Sequence, residues 1–260
     1  MQLPLHYRQY GERGEALVLL HGLFGSSANW GSIARELADE YRVIVPDLRN
    51  HGQSPHADYM DYASMAGDLL DLLDHISIPR AVLVGHSMGG KVAMYLALTS
   101  PERVAGLAVV DIAPIAYAHD FSAILDGLAA IDLESLTDRQ QADRFLAARV
   151  PESGVRGFLL QNLARENDRW RWRVNLASLR ANMPLITGFD GPPDASYSGP
   201  THFIYGELSH YVQAQSYAEV RQLFPGADFC PVANAGHWVY AEQRDGFMRC
   251  LRKFLDEASV

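Results

Sequence analysis

The chain has 260 residues, 48% hydrophobic and 20% charged, enough to bury one large core and far from the polar, highly charged composition that keeps a chain disordered. Its formal charge of −9 repels phosphate backbones and anionic bilayers, and so argues against nucleic-acid and membrane partners. Two cysteines, Cys230 and Cys250, are too few to staple a small disulfide scaffold.

The first residues alternate apolar and polar types, without the apolar run of a secretory leader. No later stretch approaches the roughly 18 apolar residues of a membrane span. A soluble, cytoplasmic protein with both thiols reduced is the expectation. Short runs rich in Val, Ile and Leu follow at Ala16–Leu20, Arg42–Pro46, 81–84 and Val104–Val110, the pattern of strands buried in a parallel sheet. Between them, Met65, Leu69, Leu72, Leu73 and Ile76 recur at helical spacing before Pro79, and Val92, Met94, Tyr95 and Leu98 do so before Pro101. Each stripe predicts a helix covering the sheet.

Residues 114–199 contain no such strand run, and Pro151, Pro184, Pro192 and Pro193 interrupt their helical segments. This stretch reads as a helical insertion. Within it Arg165, Arg169, Arg171 and Arg173 interleave with Trp170 and Trp172, which predicts one aromatic and one solvated face rather than a nucleic-acid platform on so acidic a chain. A segment rich in Gly, Pro, Asp and Ser at 190–200 leads back to two further strands, at 201–205 and 228–232. Phe247, Leu251, Phe254 and Leu255 then mark a closing amphipathic helix. The expected class is α/β: a mostly parallel central sheet flanked by helices, formed by 1–113 and 200–260, with a helical cap of 114–199 inserted before the last two strands.

Gly85-His86-Ser87-Met88-Gly89 stands between the third strand and its helix. That is the strand-turn-helix setting in which a serine on a strained turn presents its Oγ, provided its neighbours are small. A serine hydroxyl needs a base. Of ten histidines, His237 lies in a loop after the last strand, which suits the order serine, acid, histidine. The turn His21-Gly22-Leu23-Phe24-Gly25 after the first strand, together with Met88, offers backbone N–H groups for an oxyanion hole. No H-E-x-x-H, C-x-x-C or strand-borne G-x-G-x-x-G is present, so no metal or cofactor is expected.

These segments, with Asp47-Leu48-Arg49-Asn50-His51-Gly52-Gln53-Ser54, Val110-Asp111-Ile112-Ala113-Pro114 and Gly236-His237-Trp238, fall in the order and approximate spacing of the α/β-hydrolases. The chain resembles the compact bacterial esterases of the YbfF type. The resemblance implies Ser87 as nucleophile, His237 as base, Leu23 and Met88 as backbone oxyanion donors, and residues 47–54 as a structural turn. Phe24, His86 and Trp238 are the expected substrate-binding residues.

Two carboxylates compete as the orienting acid. Asp111 ends an apolar strand, where a charge needs a partner, and the resemblance favours it. Glu207 stands in Gly206-Glu207-Leu208-Ser209, where many relatives carry an aspartate at the serine. The expected reaction is cleavage of a carboxylic ester or thioester with a small to medium acyl group. The rival readings are hydrolysis of a carbon–carbon bond or another cofactor-free reaction on the same residues, and a hydrolase-fold receptor with little or no turnover.

Overall fold

The computed structural model describes residues 2–258, so Met1, Ser259 and Val260, at the ends of the expected core ranges, lie outside the described residues. The chain runs β1 (Tyr7–Tyr10), β2 (Ala16–Leu20), α1 (Gly31–Leu37), β3 (Arg42–Pro46), α2 (Tyr62–His75), β4 (Ala81–His86), α3 (Met88–Thr99) and β5 (Val104–Val110). Next come α4 (Ser122–Ala129), α5 (Arg139–Leu146), α6 (Ser153–Leu159), β6 (Leu163–Glu166), β7 (Arg169–Trp172) and α7 (Leu176–Thr187). It ends with β8 (Thr201–Gly206), α8 (Tyr217–Leu223), β9 (Ala227–Val232), α9 (Val239–Glu242) and α10 (Arg244–Ala258).

Seven strands form one sheet in the order β1-β3-β2-β4-β5-β8-β9, parallel throughout except for β1, which pairs antiparallel with β3. Every residue of β4 and β5 is buried, because helices cover both faces. Met65, Leu69 and Leu73 of α2 and Val92 and Leu96 of α3 fill one layer. Ile33 and Leu37 of α1 and Phe247, Leu251 and Phe254 of α10 fill the other. This two-faced burial is why the strands read as continuous apolar runs rather than alternating ones.

Three features differ from the sequence reading. β1 is an edge strand whose ends are only half-buried, so it lacks the apolar run that marks the others. Segment 114–199 is not purely helical: β6 and β7 pair as an antiparallel hairpin, with Arg165 opposite Trp170 and Leu163 opposite Trp172. The Arg/Trp alternation is thus the period of a strand. The cysteines are not reduced thiols. Cys230 of β9 and Cys250 of α10 form a disulfide with Cα atoms 6.1 Å apart across a sequence separation of 20, because the helix lies directly on the strand. The reduced-thiol ground for expecting a cytoplasmic protein is thereby removed. Closing such a loop stabilises by about 3 kcal/mol in the chain-entropy account. Among the described residues no helix is long and apolar enough to cross a membrane.

The loops after β2 and β3 are locked together by buried polar groups. Ser27 N and Gln53 N donate to the two oxygens of Asp47, at 2.6 and 2.9 Å. Gly52 turns the chain at φ +58°, where a Cβ would lie 2.2 Å from the Asp47 carboxyl carbon, so only glycine fits. His21 Nε2 accepts from Leu48 N at 3.0 Å and His51 Nε2 accepts from Phe24 N at 3.1 Å. Each ring donates from Nδ1 to a carbonyl, Gly22 O and Arg49 O respectively, which requires the neutral form. Arg49 reaches under the turn to Asp68 of α2 with two bonds, 2.6 and 2.7 Å, both side chains at most 3% exposed.

Two predictions follow from these buried groups. Arg49→Met leaves the Asp68 carboxylate buried without its cation, and the expected cost is about 3–5 kcal/mol. It is read as a lower urea midpoint at unchanged slope, and a loss below about 1 kcal/mol would show the pair to be dispensable. Burial, then the neighbouring His21, lowers the His51 pKa from 6.5 to about 3. Unfolded His51 therefore binds a proton across an interval in which the folded ring stays neutral, so stability is present at neutral pH and lost as pH falls below about 6.5. By about pH 5 this group alone costs about 2 kcal/mol. Urea unfolding at about pH 7.5 and about pH 5 measures it, and equal midpoints would count against a neutral buried pair.

Candidate active site

The carboxyl edge of the sheet collects the residues singled out from the sequence. β4 ends at His86, and the chain reverses at Ser87 with φ 52° and ψ −120° before α3 begins. This is a strained conformation for a residue with a Cβ. Ser87 N is held by Val110 O at 2.9 Å. The turn can form because a Cβ on Gly85 would lie 2.2 Å from Gly89 O, and one on Gly89 would lie 2.6 Å from Leu20 O. Both positions exclude a side chain.

One strand over, β5 runs into Asp111, also at positive φ (52°) and fully buried. Its Oδ2 stands 2.7 Å from Nδ1 of His237, in the loop after β9. Gly206 N donates to Oδ1 at 3.1 Å and the Ser209 hydroxyl to Oδ2 at 2.5 Å. Three donors thus compensate the burial of one carboxylate. Ser209, in the loop after β8, thus serves the aspartate at the end of the neighbouring strand. Glu207 is exposed, and its backbone N–H pairs with Val232 O.

Several residues hold the His237 loop, and of these the sequence singled out only His86, as a substrate-binding residue. The His86 ring, wholly buried and kept well below the usual histidine range first by desolvation and then by the nearby His237, donates from Nε2 to His237 O at 2.8 Å. Glu242 accepts from Gly236 N at 2.6 Å and Trp238 N at 3.1 Å, bracketing the histidine. Tyr211 stacks on the imidazole, with centroids 4.1 Å apart and planes 22° from parallel. The Tyr117 hydroxyl accepts from Ala113 N and donates to Tyr211 O at 2.5 Å. These partners come from the end of β4, from α9 and from the loops after β5 and β8, so no local motif announces them. The rarity of lysine was a usable signal for another: buried Lys91, one of two lysines in the chain, lines the site; burial draws its pKa down, whereas three carbonyl oxygens around Nζ favour the ammonium form.

Ser87 opens onto two cavities. The smaller, about 40 Å³, is bounded by Leu23, Tyr62, Met88, Lys91 and Tyr117. The larger, about 150 Å³, is bounded by Phe24, Phe158, His237, Trp238 and Tyr240. Phe121 and Ile124, together with α6 residues Val155 and Phe158, bring segment 114–199 over the serine. Of the expected substrate-binding residues, Trp238 is half-buried, whereas Phe24 and His86 are buried at 4% and 3% exposure. All three line the larger cavity. Phe24 N and Gly25 N are engaged by His51 and Gly22 O, and Leu23 lines both cavities with Ser87.

Away from this edge, His202, Asp228 and Glu257 come close enough together to hold a metal ion. His202 Nε2 is already bonded to Glu257 at 2.7 Å and Lys253 lies 3.8 Å from both carboxylates, which makes the group an ion-pair cluster.

Known proteins resemble this chain over nearly its whole length. Residues 15–243 match the family described as alpha/beta hydrolase fold. The "sn-1-specific diacylglycerol lipase ABHD11" of Mus musculus is 41% identical over 92% of this chain and 80% of its own length. The "Esterase YbfF" of Escherichia coli is 38% identical over 93% of each. A solved "Marine microorganism esterase" superposes with a TM-score of 0.93 at 37% identity, covering 97% of this chain and all of that one. On this similarity, and on a sheet whose carboxyl edge carries the serine turn, the chain belongs to the alpha/beta hydrolase fold family and is an esterase-type hydrolytic enzyme.

Proposed function

We propose that the protein hydrolyses carboxylic esters or thioesters of small to medium acyl groups through an acyl-serine intermediate, with Ser87 as nucleophile, His237 as base, Asp111 as orienting acid and segment 114–199 as the cap. The observation that carries this reading is the 2.7 Å contact between Asp111 Oδ2 and His237 Nδ1, made at the strand edge where Ser87 stands on its strained turn. With Nδ1–H donated to the carboxylate, Nε2 of His237 is the basic nitrogen.

The Ser87 hydroxyl proton passes to His237 Nε2 as Oγ bonds to the acyl carbon and the carbonyl electron pair moves onto oxygen. The Leu23 and Met88 N–H groups receive that oxyanion. As the tetrahedral species collapses, the bond to the leaving oxygen or sulfur breaks and His237 returns the proton to it. Water then repeats the sequence on the acyl-serine and releases the acid. Because the leaving group takes its proton from His237, it lies in the larger cavity, which His237 lines. The acyl chain takes the smaller one, which Met88 and Lys91 line and His237 does not.

A phosphonate probe is expected to add one covalent group to the wild type and none to Ser87→Ala, and rapid multiple turnover of p-nitrophenyl esters is expected to stop with the same change. A single burst without turnover would favour a receptor. Asp111→Asn is expected to lose up to about 10⁴-fold in kcat with the fold intact, whereas Glu207→Gln leaves kcat near wild type. The reverse pattern would transfer the orienting role to Glu207.

A further inference from the structure

Lys91 lies one helical turn beyond Ser87 on α3, its amide donating to Ser87 O at 3.1 Å. A lysine at 1% exposure is rare unless its charge is matched. Here the three ammonium protons meet three carbonyl oxygens: Ile115 O at 2.8 Å, Thr187 O at 3.0 Å and Gly188 O at 2.7 Å. Ile115 stands where the chain leaves β5 for segment 114–199, and Thr187 and Gly188 are the C-terminus of α7, where it starts back. Tyr117 N donates to the same Thr187 O at 3.0 Å, so both arms of the neck converge on one ammonium. The Tyr117 ring centroid is 4.9 Å from Nζ and the Tyr62 centroid 5.8 Å, and the Tyr62 hydroxyl donates to Ile186 O. Of these groups Lys91, Tyr62, Tyr117, Ile186 and Thr187 line the smaller cavity, which His237 does not.

We propose that Lys91 is a specificity-determining residue: by tying the two arms of the neck together it seals the acyl cavity and restricts the enzyme to short acyl chains. The inference rests on the reading of Ser87 as nucleophile. The cavity, about 40 Å³ against about 150 Å³ for its neighbour, is the tighter of the two, which suits a short acyl group. A longer chain has to displace a fully hydrogen-bonded ammonium and part the neck, whereas a flexible apolar residue at this position would yield. Lysine suits the place and arginine does not. Three carbonyls converging on one point match a compact ammonium, and a planar guanidinium cannot satisfy them from the same spot. In a chain with two lysines among 22 basic residues, the residue type is itself part of the fit.

The test is kcat/KM on p-nitrophenyl acetate, butyrate and octanoate for wild type, Lys91→Ala, Lys91→Met and Lys91→Arg, with phosphonate labelling of Ser87 run on each. Wild type is expected to lose at least about tenfold between butyrate and octanoate. Lys91→Ala and Lys91→Met are expected to narrow that ratio to about threefold or less, chiefly through a lower octanoate KM. Lys91→Arg is not expected to restore the wild-type profile. A lysine that merely supports the fold would scale all three esters down alike, and an unchanged ratio in the alanine and methionine variants overturns the proposal. Should Lys91→Ala fail to fold, the methionine variant and the wild-type profile decide, since wild type accepting octanoate as readily as butyrate also overturns it. Absent labelling of wild-type Ser87 sinks the nucleophile reading and this proposal with it, while retained labelling with an unchanged ratio sinks only the role of Lys91.

Discussion

The arrangement at the carboxyl edge depends on the burial of one carboxylate. Asp111 is fully enclosed, and an unpaired charge there would cost several kcal/mol. Its compensation comes from three places: Gly206 at the end of β8, Ser209 in the loop that follows, and His237 after β9. None of the three is near Asp111 in sequence, so the carboxylate is stable only when β5, β8 and β9 lie side by side in register. The requirement that buries the acid therefore also delivers the histidine. His86 on β4 and Glu242 of α9 fix the same loop by its backbone, and His237 lines one cavity with Ser87.

Strain gathers where this edge is built. Phe24, Asn50, Ser87, Asp111 and Asn234 all have positive φ, and each sits in a turn that follows a parallel strand. Conformations of this kind cost of order 1–3 kcal/mol where sparsely populated, and they persist because the surroundings leave no alternative. Ser87 and Asp111 are held by backbone bonds to the next strand, Val110 O and Ile204 O, and the glycines on either side of Ser87 remove the Cβ atoms that would push the turn open. Two buried layers of helix hold the strands rigid, so the strain remains at the edge instead of relaxing into the sheet.

What could be read from the sequence follows from where the physics is local. The inner strands announce themselves because both faces are covered and every position is apolar, and the serine turn because its glycines must be small. Residues whose role is set by partners far along the chain left little local trace. Asp111 and Glu207 could not be separated by composition, since the distinction is that one ends a buried strand beside His237 and the other is exposed. The Cys230–Cys250 bond depends on α10 lying over β9, which no spacing rule reports. The hairpin of β6 and β7 is a different case. Its period of two was visible as alternating Arg and Trp, but with outward arginines exposed and inward tryptophans only half-buried it lacks the apolar density of the core strands.

The neck at Lys91 and the histidine loop are joined by direct contacts. Lys91 lies against Tyr117, Tyr117 bonds to Tyr211 O, and Tyr211 stacks on His237. The two tyrosines also line the smaller cavity. Tyr211 thus both lines the smaller cavity and stacks on the imidazole, and Tyr117 links it to Lys91. A rigid neck therefore serves two needs at once, because an opening there would enlarge the smaller cavity and loosen the stacking partner of His237. That shared dependence gives a physical reason for a buried, three-coordinated ammonium where an apolar residue would fill the space at less desolvation cost. An apolar side chain would leave three neck carbonyls without their donor and allow the two arms to move independently.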